Sequence, residues 1–300
     1  MGKPFSMEWT IEEQDCNKVL REFLADQKIS KSALTDIKFK GGYLYVNEIE
    51  VTVRYILKTG DRVAVVFPRE EGSEQLKGEK IPLSIIYEDH YVMVVEKPAG
   101  MSTIPSREHP SGSLANAIIG HYEQIGHLAT VHIVTRLDRD TSGLVLIAKH
   151  RHIHHLLSNS QSVKNVERKY KAIITGSLRP SAGTVEEPIG RMDSSIIKRE
   201  VRADGQYACT EYTTLQSFDS FSLVELKLQT GRTHQIRVHM THLGHSLLGD
   251  DLYGGSRQLI KRQALHCYSL KFLHPITGRN LSFECPLPED MLKVLHKNEH

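Results

Sequence analysis

His132 to Ala148 reads HIVTRLDRDTSGLVLIA, and the fold turns on how this stretch is read. Its second half, Gly143 to Ala148, is an apolar run of strand length, entered through a turn of Asp, Thr, Ser and Gly. Several chemistries compete for that turn. Oxygen donors alternate from Asp138 and a glycine falls sixth, as in a calcium loop. The twelfth position of such a loop must be a bidentate Glu. Here it is Lys149, behind an apolar strand, so calcium is excluded. Asp138 and Asp140 also form a D-x-D pair of the phosphoaspartate kind, although such a pair normally follows an apolar strand. Arg136, just ahead of it, would compete with the metal that chemistry needs. A third reading makes Asp138 an ordinary turn cap in a Thr-Ser-Gly loop.

Around this stretch the pattern is one of short strands separated by turns. Ile85–Tyr87, Tyr91–Val95, Gly143–Ala148, Lys169–Thr175, Thr210–Gln216, Ser222–Gln229 and Leu281–Glu284 are predicted strands, and Leu114–His121 and Arg237–Leu243 predicted helices. Strands dominate without regular strand–helix alternation, so the larger domain is expected to be α+β with an antiparallel sheet. Ahead of it, Val19, Leu20, Phe23 and Leu24 recur at helical spacing. Ser30 or Ser32 is placed to cap a second helix with Ala33, Leu34 and Ile37. Tyr43–Val46, Ile49–Val53 and Val63–Phe67 read as strands of a small unit. Arg69 to Glu79 holds no large apolar residue except Leu76 and reads as a linker.

The 300 residues are 39% hydrophobic and 25% charged, enough apolar content for a sizeable core and unlike a disordered chain. A net charge of +2 argues for no partner by itself, so position has to carry the argument. Between Lys227 and Arg279 eight Lys/Arg face only Asp250 and Asp251, with six histidines in the same stretch, and this charge beside Tyr253 and Tyr268 suits a phosphate backbone with unstacked bases. Cys16, Cys209, Cys267 and Cys285 form no C-x-x-C pair, which excludes zinc ribbons and disulfide scaffolds and points to a reducing cytoplasm. No apolar run approaches the ~20 residues of a membrane span. Gly2 with Ser6 matches a myristoylation pattern that arises often by chance, and the chain is expected to be soluble. His239, His242 and His245 sit at i, i+3, i+6, a spacing that could hold zinc. Without H-E-x-x-H or nearby acids other than Asp250 and Asp251, they read as neutral or phosphate-facing, and no metal is expected.

The run Arg136 to Leu144, RLDRDTSGL, resembles the signature of the RluA/RluD-type RNA pseudouridine synthases, usually HRLDxxTSG, with Thr135 in the place of the usual His. Further blocks resemble that family in its order: Glu96–Met101 (EKPAGM), Arg168–Ala172 (RKYKA), Thr230–His239 (TGRTHQIRVH), Leu248–Gly254 (LGDDLYG) and Ala264–Cys267 (ALHC). The resemblance covers roughly Ile81 to Pro288. The front segment looks like the S-four-type (alpha-L) RNA-binding module, from which Lys38-Phe39-Lys40 departs somewhat. Three parts are implied: an RNA-binding module over 1–68, a linker over 69–80, and a synthase-like catalytic domain over 81–300 with a mostly antiparallel central sheet.

Turning uridine into pseudouridine breaks the bond from sugar to ring nitrogen, turns the base over and rejoins it through carbon. No atom or electron is gained, so no cofactor is expected. An anion below the anomeric carbon is required. By resemblance this is Asp138. Asp140 would point the same way in an extended segment, so alternation cannot choose between them. The resemblance further implies that Arg237 keeps Asp138 ionised and that Tyr170 packs under the uracil with its hydroxyl available for proton transfer. Arg136 would fill the gap left by the extruded nucleotide. Arg232 and His234, with Lys31 and Lys38 of the front module, are the remaining expected RNA contacts. The implied partner is looped ribosomal or transfer RNA, bound by a monomer. Two other classes are weighed: an RNA-binding ribosome-assembly factor with incidental modification activity, and a metal-dependent phosphohydrolase.

Overall fold

The computed structural model describes residues 4–70, 72, 76–127, 129–158 and 166–297. Gly2 of the myristoylation pattern, and positions 71 and 73–75 of the expected linker, lie outside the described residues.

The front unit runs β1 (Ser6–Thr10), α1 (Leu20–Asp26), α2 (Lys31–Phe39), β2 (Tyr43–Val46), β3 (Ile49–Glu50) and β4 (Arg62–Val66), with an antiparallel sheet ordered β1-β4-β2-β3. Ser30 Oγ accepts the Ala33 N–H at 3.1 Å and starts α2, as its position suggested. The predicted strand Ile49–Val53 stops at Glu50, because the chain turns away after two residues. The strand β1 was not foreseen. Phe5, Met7, Trp9 and Ile11 alternate, and Met7 and Ile11 are buried in a core with Leu20, Phe23, Leu24, Ile37, Leu44 and Val65.

The rest of the chain contributes β5 (Ser84–Glu88), β6 (Val92–Lys97), α3 (Leu114–Ile125), β7 (His132–Ile133), β8 (Ser142–Ala148), α4 (Arg151–Ser158), β9 (Val166–Thr175), β10 (Ala182–Val185), β11 (Ile189–Arg191), β12 (Arg199–Val201), β13 (Thr210–Ser217), β14 (Phe221–Leu228), α5 (Gln235–His242), β15 (Leu265–Leu273), β16 (Asn280–Glu284) and α6 (Glu289–His296). One sheet runs β10-β13-β14-β9-β15-β8-β6-β5, with β16 also on β15 and β7 on β8. Every pairing in it is antiparallel except β15 with β8. That parallel seam rests on two registered pairs, His266 with Ser142 and Cys267 with Gly143. At the seam Gly143 has φ +117°, and a Cβ there would stand 2.2 Å from the Cys267 carbonyl oxygen. Only glycine fits so close an approach.

Strand β8 is buried along its whole length, which is why it reads as an uninterrupted apolar run. Its neighbours in the main core come from α3 (Leu114, Ile118, Tyr122), α4 (Ile153, Leu157) and α5 (Ile236, Met240). A second cluster packs Ile173, Phe221 and Leu223 under Met291, Val294 and Leu295 of α6.

Within the stretch expected as linker, the described residues are anchored. The Glu79 N–H bonds to the Asn116 carbonyl at 3.0 Å, and Asn116 Nδ2 donates to the Lys77 carbonyl at 2.9 Å. Glu70, its side chain 5% exposed, bonds His132 Nε2 at 2.7 Å and accepts the Arg151 N–H at 2.7 Å, with His150 Nε2 3.4 Å away. Phe5 stacks on the His150 ring at 4.1 Å, and Phe67 packs on both His150 and His152. A phenylalanine–histidine–carboxylate joint therefore fixes the front unit to β7 and α4.

Candidate active site

The stretch that opened the reading lies along one wall of a cleft of about 860 Å³. Asp138 stands on a tight turn, where the Thr141 N–H bonds back to the Asp138 carbonyl at 3.1 Å. Because the segment turns rather than extends, Asp138 and Asp140 part company. Asp138 lines the cleft and Asp140 does not, and the Asp140 carbonyl accepts Arg262 Nη1 at 3.1 Å. Lys97, fully buried, braces the turn by donating to the carbonyls of Pro98 (2.9 Å), Met101 (2.7 Å) and Arg139 (3.0 Å). Burial pulls its ammonium down to about 7, against the attraction of Asp138 and Asp140. Thr103 Oγ1 donates to the Leu137 carbonyl at 2.6 Å and fixes the approach to the turn.

The opposite wall is the loop after β14 and the first turn of α5. Arg237, 6% exposed, donates from Nη1 to Asp138 Oδ2 at 3.2 Å. Its other partner is closer and more complete. Nε and Nη2 grip the two oxygens of Asp250 at 2.7 and 2.8 Å, and Asp250 is 1% exposed. Burial works against the guanidinium charge, but the hydrogen bonds and attraction of Asp250, with the attraction of Asp138, raise its pKa above the ordinary value. The Tyr253 ring lies under the guanidinium at 4.9 Å, and its hydroxyl bonds His234 Nδ1 at 2.9 Å. His234 adopts φ 58° at the start of α5, which brings Nε2 to 3.9 Å from Asp138 Oδ2. Burial lowers its pKa, with Asp138 opposing, so the ring is neutral at pH 7.

Tyr170 is 3% exposed on β9 and lines the cleft floor. Burial, with Cys267 beside it, raises the phenol well above its ordinary pKa, so it stays protonated. Arg136 and Arg232 are exposed and line the cleft, and Arg232 Nε is held by the Tyr207 carbonyl at 2.9 Å. Lys31 and Lys38 are exposed on α2 and are not among the lining residues, so the structure gathers six of the eight expected site residues into one place. No individual role was legible in the sequence for Asp250, Lys97, Arg139 or Arg168, and Tyr253, expected beside unstacked bases, instead supports Arg237 and His234. Asp250 and Tyr253 lay inside the quoted LGDDLYG block, which marked them without saying what they touch.

Two of the three histidines considered for zinc are occupied otherwise, and the third, His242, is exposed. His239 bonds Thr210 Oγ1 and the Glu187 carbonyl, both at 2.9 Å, and His245 bonds the Thr175 carbonyl at 2.8 Å. Among the described residues, the one group of metal-ligating type with converging donor atoms is Glu96, His266 and Cys285. There His266 is engaged by Ser142 Oγ at 2.9 Å and Cys285 Sγ at 3.2 Å.

Residues 91–242 match the family model described as RNA pseudouridylate synthase. This chain belongs to the RNA pseudouridine synthase family. The uncharacterized RNA pseudouridine synthase YjbO of Bacillus subtilis is 53% identical over 281 residues, 94% of this chain and 99% of that one. Ribosomal large subunit pseudouridine synthase D of Pseudomonas aeruginosa is 38% identical over 270 residues, 85% of this chain and 84% of that one. Among solved structures, human RNA pseudouridylate synthase domain containing 4 superimposes with a TM-score of 0.58 at 27% identity, over 71% of this chain and 92% of that one. The synthase fold expected from the resemblance, with its mostly antiparallel sheet, is the fold present, and the chain is an RNA uridine isomerase.

Proposed function

We propose that this enzyme isomerises uridines of large-subunit ribosomal RNA, with Asp138 as the essential acid. One observation carries the reading. Of the described residues lining the cleft, Asp138 is the one carboxylate, and it stands among five arginines: Arg136, Arg139, Arg168, Arg232 and Arg237. Such a lining attracts a polyanion and leaves a single nucleophilic oxygen pair facing it. The ribosomal target rests on the name of the Pseudomonas aeruginosa relative.

In the reaction, the bond from C1′ to N1 of the uridine breaks and one from C1′ to C5 forms. The proton lost from C5 is balanced by one gained at N1. Asp138 attacks C1′ or accompanies its cationic character, and Arg237 orients it through the bond to Oδ2 while Asp250 and Tyr253 keep Arg237 in place. Tyr170 supports the uracil from below, and its protonated hydroxyl is a donor for the base as it turns. Arg136 takes the place of the extruded nucleotide, and Arg232 and His234 border the ribose and its phosphates. No cofactor enters this balance.

The front unit, residues 1–68, acts as an S-four-like RNA-binding module through Lys31 and Lys38, joined by residues 69–80 to the catalytic domain over 81–300. The working form is a monomer, since one chain supplies every group named. All four cysteines are free thiols, which supports a cytoplasmic setting. Among the described residues no helix is long and apolar enough to cross a membrane. The test is to map pseudouridine at nucleotide resolution in RNA from cells with and without the protein, and with Asp138→Asn. A position in large-subunit ribosomal RNA that loses its mark in both strains is the expected result. Losses confined to transfer RNA overturn the substrate, and an unchanged map in the Asp138→Asn strain overturns the acid.

A further inference from the structure

We propose that Arg168 is a phosphate-binding residue of the cleft, taking the RNA phosphodiester one nucleotide step from the uridine that sits over Asp138. The proposal rests on the reading that the cleft receives an extruded nucleotide, and it adds the group that fixes the backbone beside it.

Arg168 differs from the other cleft arginines in how it is satisfied. Arg237 is gripped by two carboxylates, Arg232 Nε is held by a carbonyl, and Arg136 and Arg139 are open to water. Arg168 is half-buried, and its Nε is shut away from solvent with no hydrogen-bond partner. Among the described residues, no side-chain hydrogen bond or ion pair involves it. A guanidinium with one nitrogen removed from water and its donor unmet carries a cost, and a ligand oxygen on its remaining, unclaimed donors compensates for it.

Position says which ligand. Arg168 and Tyr170 lie two residues apart on β9 and share a face, separated by roughly 6.6 Å along the strand. With Tyr170 under the base, Arg168 falls about one step further along an extended single strand, where the next phosphate lies. Its head rests against the loop after β14. A Cβ on Gly231 would stand 3.0 Å from Arg168 Nη2, so the absence of a side chain at 231 lets the guanidinium lie there. A forked, permanently charged donor matches a phosphodiester with two free oxygens better than a lone uracil carbonyl.

The test uses the full chain and a synthetic RNA stem-loop carrying one loop uridine, with and without a methylphosphonate at each flanking phosphate. Arg168→Gln should weaken binding about tenfold near 0.15 M salt and reduce the slope of log affinity against log salt by about 0.7–0.9. One methylphosphonate should cost the parent the same factor and cost Arg168→Gln nothing more. Arg168→Lys should keep the slope and recover part of the affinity, which also covers a failure of the glutamine variant to fold. An Arg168→Gln protein that binds as the parent does, additive losses with every methylphosphonate, or a fall in kcat at unchanged affinity overturns the phosphate contact. Asp138→Asn in the same assay reads the catalytic proposal separately: product formed by that variant sinks the acid and leaves the Arg168 result standing.

Discussion

Glu70 and Asp138 are two of the carboxylates that meet basic side chains here, and their surroundings make them opposites. Glu70 is walled in, 5% exposed, with its oxygens taken by His132 and the Arg151 N–H and with His150 close by. Asp138 keeps 28% of its side chain exposed, with Arg237 at 3.2 Å and His234 at 3.9 Å, and otherwise faces an 860 Å³ cleft. Glu70 ties two units together. Asp138 keeps lone pairs turned toward the cleft. The contrast teaches that spare bonding capacity at the mouth of a cavity, rather than charge or burial, separates a reactive acid from a structural one.

The contrast breaks most sharply at the acid itself. Asp138→Asn should cut product formation more than about 10³-fold while RNA affinity holds or rises, measured as single-turnover conversion beside a binding isotherm. Its fold should survive, because Asp250 still holds Arg237. Next comes Arg237→Met. Its bond to Asp138 predicts a strong loss of turnover with RNA affinity nearly intact, and because Asp250 would be left buried without its partner, a stability loss of about 3–5 kcal/mol in urea unfolding should accompany it. Glu70→Gln should cost about 1–2 kcal/mol and leave turnover unchanged.

Acid should weaken the joint, and the direction follows from the pKa shifts. Burial and neighbouring cations lower His150 from 6.5 to about 4, with Glu70 opposing, so between those values the unfolded chain binds the extra proton and stability falls as pH falls. Glu70 is brought down from 4.5 to about 2, its hydrogen bond from His132 and the pull of His150 and His132 outweighing its burial. It gives its stability above 4.5 and loses it as pH drops through 2. The two groups do not act at one pH: His150 is neutral near pH 7, so there Glu70 relies on its hydrogen bonds, and the attraction grows only as the ring charges. Thermal melts of Glu70→Gln from pH 7 to 4 should therefore fall less steeply than the parent's. The smallest effect is expected from charge reversal at Lys31 and Lys38, a severalfold loss of RNA affinity that vanishes at high salt.

Much of this was legible because it is written in local chemistry. The apolar run of β8, the Ser30 cap and the helical spacing of α5 each follow from a few adjacent residues. The pairing of Asp138 with Arg237, 99 residues apart, came through resemblance alone and could not have come from spacing. Other features were hidden for physical reasons. Strands β10, β11 and β12 are three or four residues long, too short for an alternation to be read. Helix α4 carries Ile153, Leu156 and Leu157 at helical spacing, but over eight residues interleaved with histidines the apolar pattern is too short to read. Glu70 sat in a stretch whose composition says tether, and composition does not reveal a partner 62 residues away. Asp250 was visible as a residue and invisible as a contact, since a bidentate grip leaves no mark in a one-dimensional string.

The parallel seam between β8 and β15 has a consequence of its own. Asp138 belongs to the half of the sheet that ends in β8, and Arg237 to the half that includes β14, so the pair meets only because the halves are sewn together where Gly143 abuts Cys267. A single methyl group added at 143 would act as a wedge. Catalysis could then be lost by a change that touches no reacting atom, simply because the two walls of the workshop had drifted apart.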